Sequence, residues 1–145
     1  MSRGKACKEW LLGSRSQRPP LRLAADARKK RGAAAERDAA CYLKDEGFNI
    51  LGRNIHFSRG MPYELDMVAM EGRTLVFVEV RFKSSARYGD AVESINHKKQ
   101  QRIIQAARVY LKENARRLPR YTSCRFDVVG ITGGQLRHIR GAFTT

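Results

Sequence analysis

Two runs rich in β-branched and apolar residues, ELDMVAM (64–70) and TLVFVEVRF (74–82), are joined through Glu71-Gly72. Strand formers on either side of a short glycine turn specify a β-hairpin, and this one carries acid where a core face belongs. Strand side chains alternate, so Glu64, Asp66, Val68 and Met70 share one face. Leu75, Phe77, Glu79, Arg81 and Lys83 share one face of the next strand. A turn at Glu71-Gly72 predicts that Asp66 faces Phe77 and Glu64 faces Glu79. Opposed Cβ atoms lie ~4.5–5.5 Å apart and diagonal ones such as Asp66 and Glu79 ~7–8 Å. Glu64, Asp66 and Glu79 therefore converge beside Leu75 and Phe77, residues whose character implies burial. Like charges opposed across a sheet destabilise it. Magnesium or manganese, hard cations that take oxygen ligands, would offset the repulsion; an exposed salt-bridge cluster with Arg81 and Lys83 is the alternative.

The flanking segments predict an α/β arrangement. AAAERDAACYLKDEG is rich in helix formers and ends on Gly47, a good residue for closing a helix. On that helix Glu36, Ala39, Ala40 and Leu43 fall on one face, which sets Glu36 inward as a further candidate ligand. FNILGRNIHF reads as a strand with a break near Gly52. Residues 94–114 read as a second helix, with Ile103, Ala107, Tyr110 and Leu111 at helical spacing. Lys99 lies one turn before Ile103 on the same stripe, within reach of the sheet edge, and Gln100 is next to it. RFDVVGI and the region around LRHI complete the strands, separated by Gly133-Gly134. Asp127 is expected to anchor the sheet by hydrogen bonding. Helix, three strands, helix and one or two strands make a mixed sheet flanked by helices.

Charge limits the partners. The 145 residues hold 29 Lys and Arg against 14 Asp and Glu, a net +15. A balance of that size favours polyanions and says little about fold. Residues 1–32 contribute ten basic residues against Glu9 and Asp26, and read as a basic mobile arm before a domain over 33–145. No apolar run is long enough for a membrane span, and the first residues lack a signal-peptide core, so a cytoplasmic protein is expected. Cys7, Cys41 and Cys124 form neither a zinc motif nor an even disulfide framework, and Cys41 and Cys124 read as small core residues. His56, His97 and His138 share no metal-ligand spacing. A phosphate loop of the GxxxxGK type is absent, and aromatic residues are too few to stack many bases.

An acidic residue on the first helix, Asp66 on one strand and Glu79-Val80-Arg81 on the next resemble the PD-(D/E)xK nuclease superfamily. The closer resemblance is to the YraN-like family, through AAAERDAACYLKDEGFNILGRN, YELDMVAMEGRTLVFVEVRFKSSARYG, KKQQRIIQAARVYL and CRFDVVGI. That resemblance implies a restriction endonuclease-like αβββαβ core with metal ligands at Asp66 and Glu79, Glu36 assisting and Glu64 near the site. The chain departs from it with Tyr63 ahead of the acidic pair and Arg81 in place of the superfamily lysine. Arginine stays charged and holds phosphate better than it moves protons; Lys83 and Lys99 are the candidate ammonium groups.

The implied activity is metal-dependent phosphodiester hydrolysis of DNA, branched or single-stranded. Asp66, Glu79 and the Val80 carbonyl would hold Mg²⁺. Arg81, Lys83 and Lys99 would act at the phosphate, and Arg59, Arg87, Lys98, Gln100 and Arg102 would grip the backbone. Related junction-cutting folds suggest a homodimer. The alternatives are a nucleic-acid-binding module without chemistry and a small protein-interaction domain.

Overall fold

A computed structural model describes residues 21–57 and 60–145. Helix α1 (Leu21–Asp45) precedes β1 (Asn49–His56), β2 (Glu64–Glu71) and β3 (Thr74–Lys83). A short 3₁₀ turn (Val92–Ser94) leads into α2 (His97–Asn114), followed by β4 (Ser123–Thr132) and β5 (Gln135–Phe143). The five strands form one sheet in the order β1-β2-β3-β4-β5. β3 and β4 run parallel, joined through α2, and the other neighbours are antiparallel. This is the expected α/β mixed sheet, consistent with a restriction endonuclease-like core. Among the described residues, no helix is long and apolar enough to cross a membrane.

The two sheet faces have separate cores. Ala39, Ala40 and Leu43 of α1 pack with Phe48, Met67, Ala69, Val76, Val78 and Val129. Ile103, Ala107 and Tyr110 of α2 pack with Val68, Met70, Leu75, Phe77 and Phe126 on the other side. Phe77 is the centre of that second core, stacked on Phe126 and met edge-on by Tyr110. Full burial of such a side chain is worth about 1.5–3 kcal/mol. The parity of each strand thus assigns the faces as the sequence predicts.

Helix α1 ends where Gly47 takes φ +90°, a region open to glycine. Its N–H donates to the Lys44 carbonyl at 3.0 Å, and the Phe48 N–H donates to the Leu43 carbonyl at 2.9 Å. Those two bonds and the Leu43–Phe48 contact constitute a Schellman closure. The start of α1 differs from expectation. Residues 21–32, part of the predicted basic arm, are helical, because Ala24, Ala25, Ala27 and the arginines and lysines are good helix formers. The rest of the predicted arm, residues 1–20, lies outside the described residues.

The hairpin register also differs. Glu71 pairs with Thr74, so Gly72-Arg73 is the two-residue loop. Gly72 adopts φ +58° at its first position, where such hairpins place glycine. The partners shift by two, which preserves every face and changes every neighbour. Extending the ladder one step past Met67↔Val78 sets Asp66, not Glu64, level with Glu79. Cys124 is a further correction: it is exposed, because burial along β4 begins only at Phe126.

Candidate functional site

The β2–β3 ladder stops at Met67↔Val78, and the acidic pair sits just beyond it. Asp66 Oδ2 accepts the Val80 N–H at 2.8 Å, so one backbone donor holds the carboxylate across the opening strands. Glu79 is 3% exposed and accepts the Lys99 ammonium at 3.0 Å. Lys99 reaches it because Asn96 caps α2, its side-chain oxygen accepting the Lys99 N–H at 2.9 Å. Arg81 stands on the other side of the same carboxylate, its Nη1 3.7 Å from Glu79 Oε1. Burial, then the charge of Glu79, pushes the Asp66 carboxyl up to about 7, against the opposing pull of the Val80 N–H and Lys99.

The remaining predicted ligands stand apart. Glu36 is half-buried on the inward stripe of α1. Burial and then the Asp66 charge raise its carboxyl, which places it in the electrostatic neighbourhood of the pair. Glu64 pairs across β1 with His56, 3.3 Å away on the exposed surface. Among the described residues no three His, Cys, Asp or Glu side chains come together as a ready metal cluster. The predicted four-carboxylate gathering reduces to Asp66 and Glu79.

Of the predicted cations, Lys99 and Arg81 join the pair. Lys83 does not: its ammonium donates to the Tyr88 and Gly89 carbonyls at 3.1 and 3.4 Å and braces the loop after β3. Four residues along a strand cover about 13 Å, too far for it to return to Glu79. Gln100 donates back to the Ile95 carbonyl at 3.4 Å. Lys98 and Arg102 are exposed on α2, and Arg87 is exposed on the loop after β3. Arg59 lies outside the described residues.

This acidic pair between two strands, with a helix lysine on it, falls inside the segment that matches a known family. Residues 35–131 match the uncharacterised protein family UPF0102. The chain belongs to this family. A UPF0102 protein of Saccharophagus degradans is 44% identical over 115 residues, covering 78% of this chain and 92% of that protein. A UPF0102 protein of Lachnoclostridium phytofermentans is 42% identical over 116 residues, 80% and 94% of the two chains. The UPF0102 protein YraN of Escherichia coli is 38% identical over 115 residues, 79% and 85% of the two. The UPF0102 segment contains Glu36, Asp66, Glu79 and Lys99, and it ends before β5 begins.

A second polar cluster occupies the α1 side of the sheet. Asp127 is fully buried and accepts from Arg125 Nε at 2.7 Å, Arg125 Nη2 at 2.9 Å and the Gly141 N–H at 3.0 Å. Its Oδ2 also pairs with His138 Nε2 at 2.9 Å, and His138 Nδ1 lies 3.3 Å from the Tyr42 hydroxyl. Arg125 and Arg140 both bind Glu71. The anchoring role expected of Asp127 is present; the rest of the cluster went unread. Its signal was the spacing Arg125-x-Asp127 and His138-x-Arg140, same-face pairs on adjoining strands.

Proposed function

We propose that this UPF0102 member is a divalent-cation-dependent nuclease acting on DNA, in the manner of the PD-(D/E)xK enzymes. The observation that carries the reading is the Asp66–Glu79 pair, two carboxylates level across parting strands with a backbone N–H on one and a lysine on the other. Magnesium is commonly held by one or two carboxylates, its other positions left to water and substrate phosphate. The donor set therefore fits that ion without the extra ligands Glu36 and Glu64. A bound ion would polarise the scissile phosphodiester and acidify water. The chain's own groups orient the reaction. The Val80 N–H fixes the Asp66 carboxylate, and the Lys99 ammonium is set beside Glu79, where a phosphate oxygen gathering charge would meet it. Exposed Lys98, Arg102 and Arg87 supply grip that does not depend on base sequence.

The decisive measurement is cleavage of branched and single-stranded DNA by purified protein in Mg²⁺, with and without Glu79→Gln. The expected loss is on the order of 10²–10³-fold, the scale of removing one charge-stabilising group; equal rates would refute the mechanism. A binding module without chemistry draws support from Lys99, which already neutralises part of the pair. Calorimetric titration of Mg²⁺ separates the two, since a module without chemistry gives no saturable ion binding.

A further inference from the structure

Beside the acidic pair, a cleft of about 340 Å³ opens between α1 and the 3₁₀ turn, across the end of β3. That volume is at the small end of the ~300–1,000 Å³ range of ligand sites. Its lining is Arg28 and Gly32 of α1, Val80, Arg81 and Phe82 of β3, and Ser94. Two guanidinium groups line it, and none of these six residues is acidic.

Arg81 is poorly satisfied there. Its Nε is buried and has no partner among the described residues. Its two other contacts are long, 3.5 Å to the Ser94 carbonyl and 3.7 Å to Glu79, at or beyond the limit of a hydrogen bond. A guanidinium presents five donors in a fixed fork that matches phosphate oxygens. Leaving a buried donor of such a group unmade is costly unless a ligand completes it.

Gly32 points the same way by an independent route. It lies inside a 25-residue helix, where glycine is the poorest residue after proline. A Cβ built on it meets nothing within 4 Å, so no packing against the described protein explains its small size. Glycine also serves where a ligand approaches the backbone closely. Phe82, 38% exposed, adds an apolar lip on which a sugar or base can rest.

We propose that Arg28, Gly32 and Arg81 form a seat for a nucleic-acid phosphate next to the one cleaved. The seat rests on the nuclease reading for its purpose, though its affinity for phosphate does not. Arg81 is then a phosphate-holding residue, and Lys99 is the ammonium at the acidic pair. Arg28 and Gly32 lie outside the segment matched to the family model.

The test is fluorescence anisotropy of the full chain with a labelled single-stranded oligonucleotide in EDTA, where binding proceeds without cleavage. Gly32→Glu places a carboxylate in the cleft without a clash and is expected to weaken binding at least tenfold. Ala115→Glu, the same charge change beyond α2, is expected to stay within twofold. Arg28→Ala is expected to flatten the slope of log K against log salt by about 0.7, one single-strand phosphate contact. A 5′-phosphorylated and a 5′-hydroxyl oligonucleotide tell terminal from internal phosphate: a loss confined to the first means a terminal seat, an equal loss an internal one. Wild-type affinity in both Gly32→Glu and Arg28→Ala overturns the seat, as does failure of the unaltered chain to bind. The two ideas fail separately. Cleavage that survives Glu79→Gln, with binding lost in the cleft variants, sinks only the mechanism assigned to the acidic pair; the converse pattern sinks only the seat.

Discussion

Asp66 and Asp127 lie on strands of one sheet, are both largely removed from water, and titrate in opposite directions. Burial alone would raise both. At Asp127 it is outweighed by hydrogen bonds from His138, Arg125 and the Gly141 N–H, and the carboxyl is held down at about 2. At Asp66 burial prevails and the Glu79 charge adds to it, against one backbone N–H and a lysine, and the carboxyl rises to about 7. The difference is one of donors. On the α1 face a carboxylate is fully partnered and has no capacity left for a ligand. On the α2 face Asp66 accepts one backbone N–H, and Glu79 has the Lys99 ammonium at 3.0 Å and Arg81 at 3.7 Å. Structural ion-pair networks perturb carboxyls as functional sites do, so the shift alone does not mark a site.

If Asp127 is a structural anchor, removing it should cost stability and nothing specific in chemistry. Asp127→Ala strands the Gly141 N–H and leaves His138 and Arg125 without their shared acceptor. The expected destabilisation is about 3–5 kcal/mol, a fall in Tm of roughly 10 °C for a chain of this size, measured by calorimetry. Surviving protein should bind Mg²⁺ as before. A variant that stays stable but loses ion binding would reverse the roles assigned to the two carboxylates.

Asp66 should behave in the opposite sense. Its native pKa is raised, so the stability it lends is present below its ordinary value near 4 and is lost as pH rises through about 7. Asp127, with a depressed pKa, lends stability above about 4 that is lost as pH falls through about 2. Asp66→Asn is therefore expected to raise stability at pH 8 by about 1–3 kcal/mol, given about 1.4 kcal/mol per pKa unit. The gain should shrink towards zero near pH 4. Mg²⁺ at pH 8 should raise the Tm of the unaltered chain by mass action and leave Asp66→Asn unmoved. Denaturation series at the two pH values, with and without the ion, check both halves. A variant destabilised at pH 8 would mean the pair is already balanced.

Faces were legible in the sequence because they depend only on parity. Val68, Phe77, Asp66 and Glu79 were assigned to one side correctly even though the pairing was displaced by two. Partners were not legible, since they depend on which two residues make the turn, and both Glu71-Gly72 and Gly72-Arg73 contain the glycine. The Asp127 cluster also needs Glu71 from the end of β2, a contact distant in sequence that the local spacings on β4 and β5 do not encode. The length of α1 was hidden by charge: Arg28-Lys29-Lys30-Arg31 reads as a solvated arm, although each residue is a good helix former. That misreading concealed the cleft, whose two α1 residues lie in the stretch assigned to the arm.

The corrected register makes one more claim, smaller in effect but sharp in what it separates. Glu64 was expected to face Glu79 and share its ion. In the structure it stands opposite His56 at the start of β2, and both side chains are mostly exposed, at 57% and 72%. A solvated pair of that kind contributes about 0–1 kcal/mol. Its electrostatic reach extends to Glu36, where it is the weakest of the influences raising that carboxyl. Glu64→Gln should thus shift stability by less than about 0.5 kcal/mol and leave Mg²⁺ affinity within a factor of two. Glu79→Gln in the same titration should abolish saturable binding. Two glutamates on one face, separated only by register, then give opposite results. If Glu64→Gln instead removes the ion as completely as Glu79→Gln, the strands pair as the simpler turn predicts, and the third carboxylate belongs to the site.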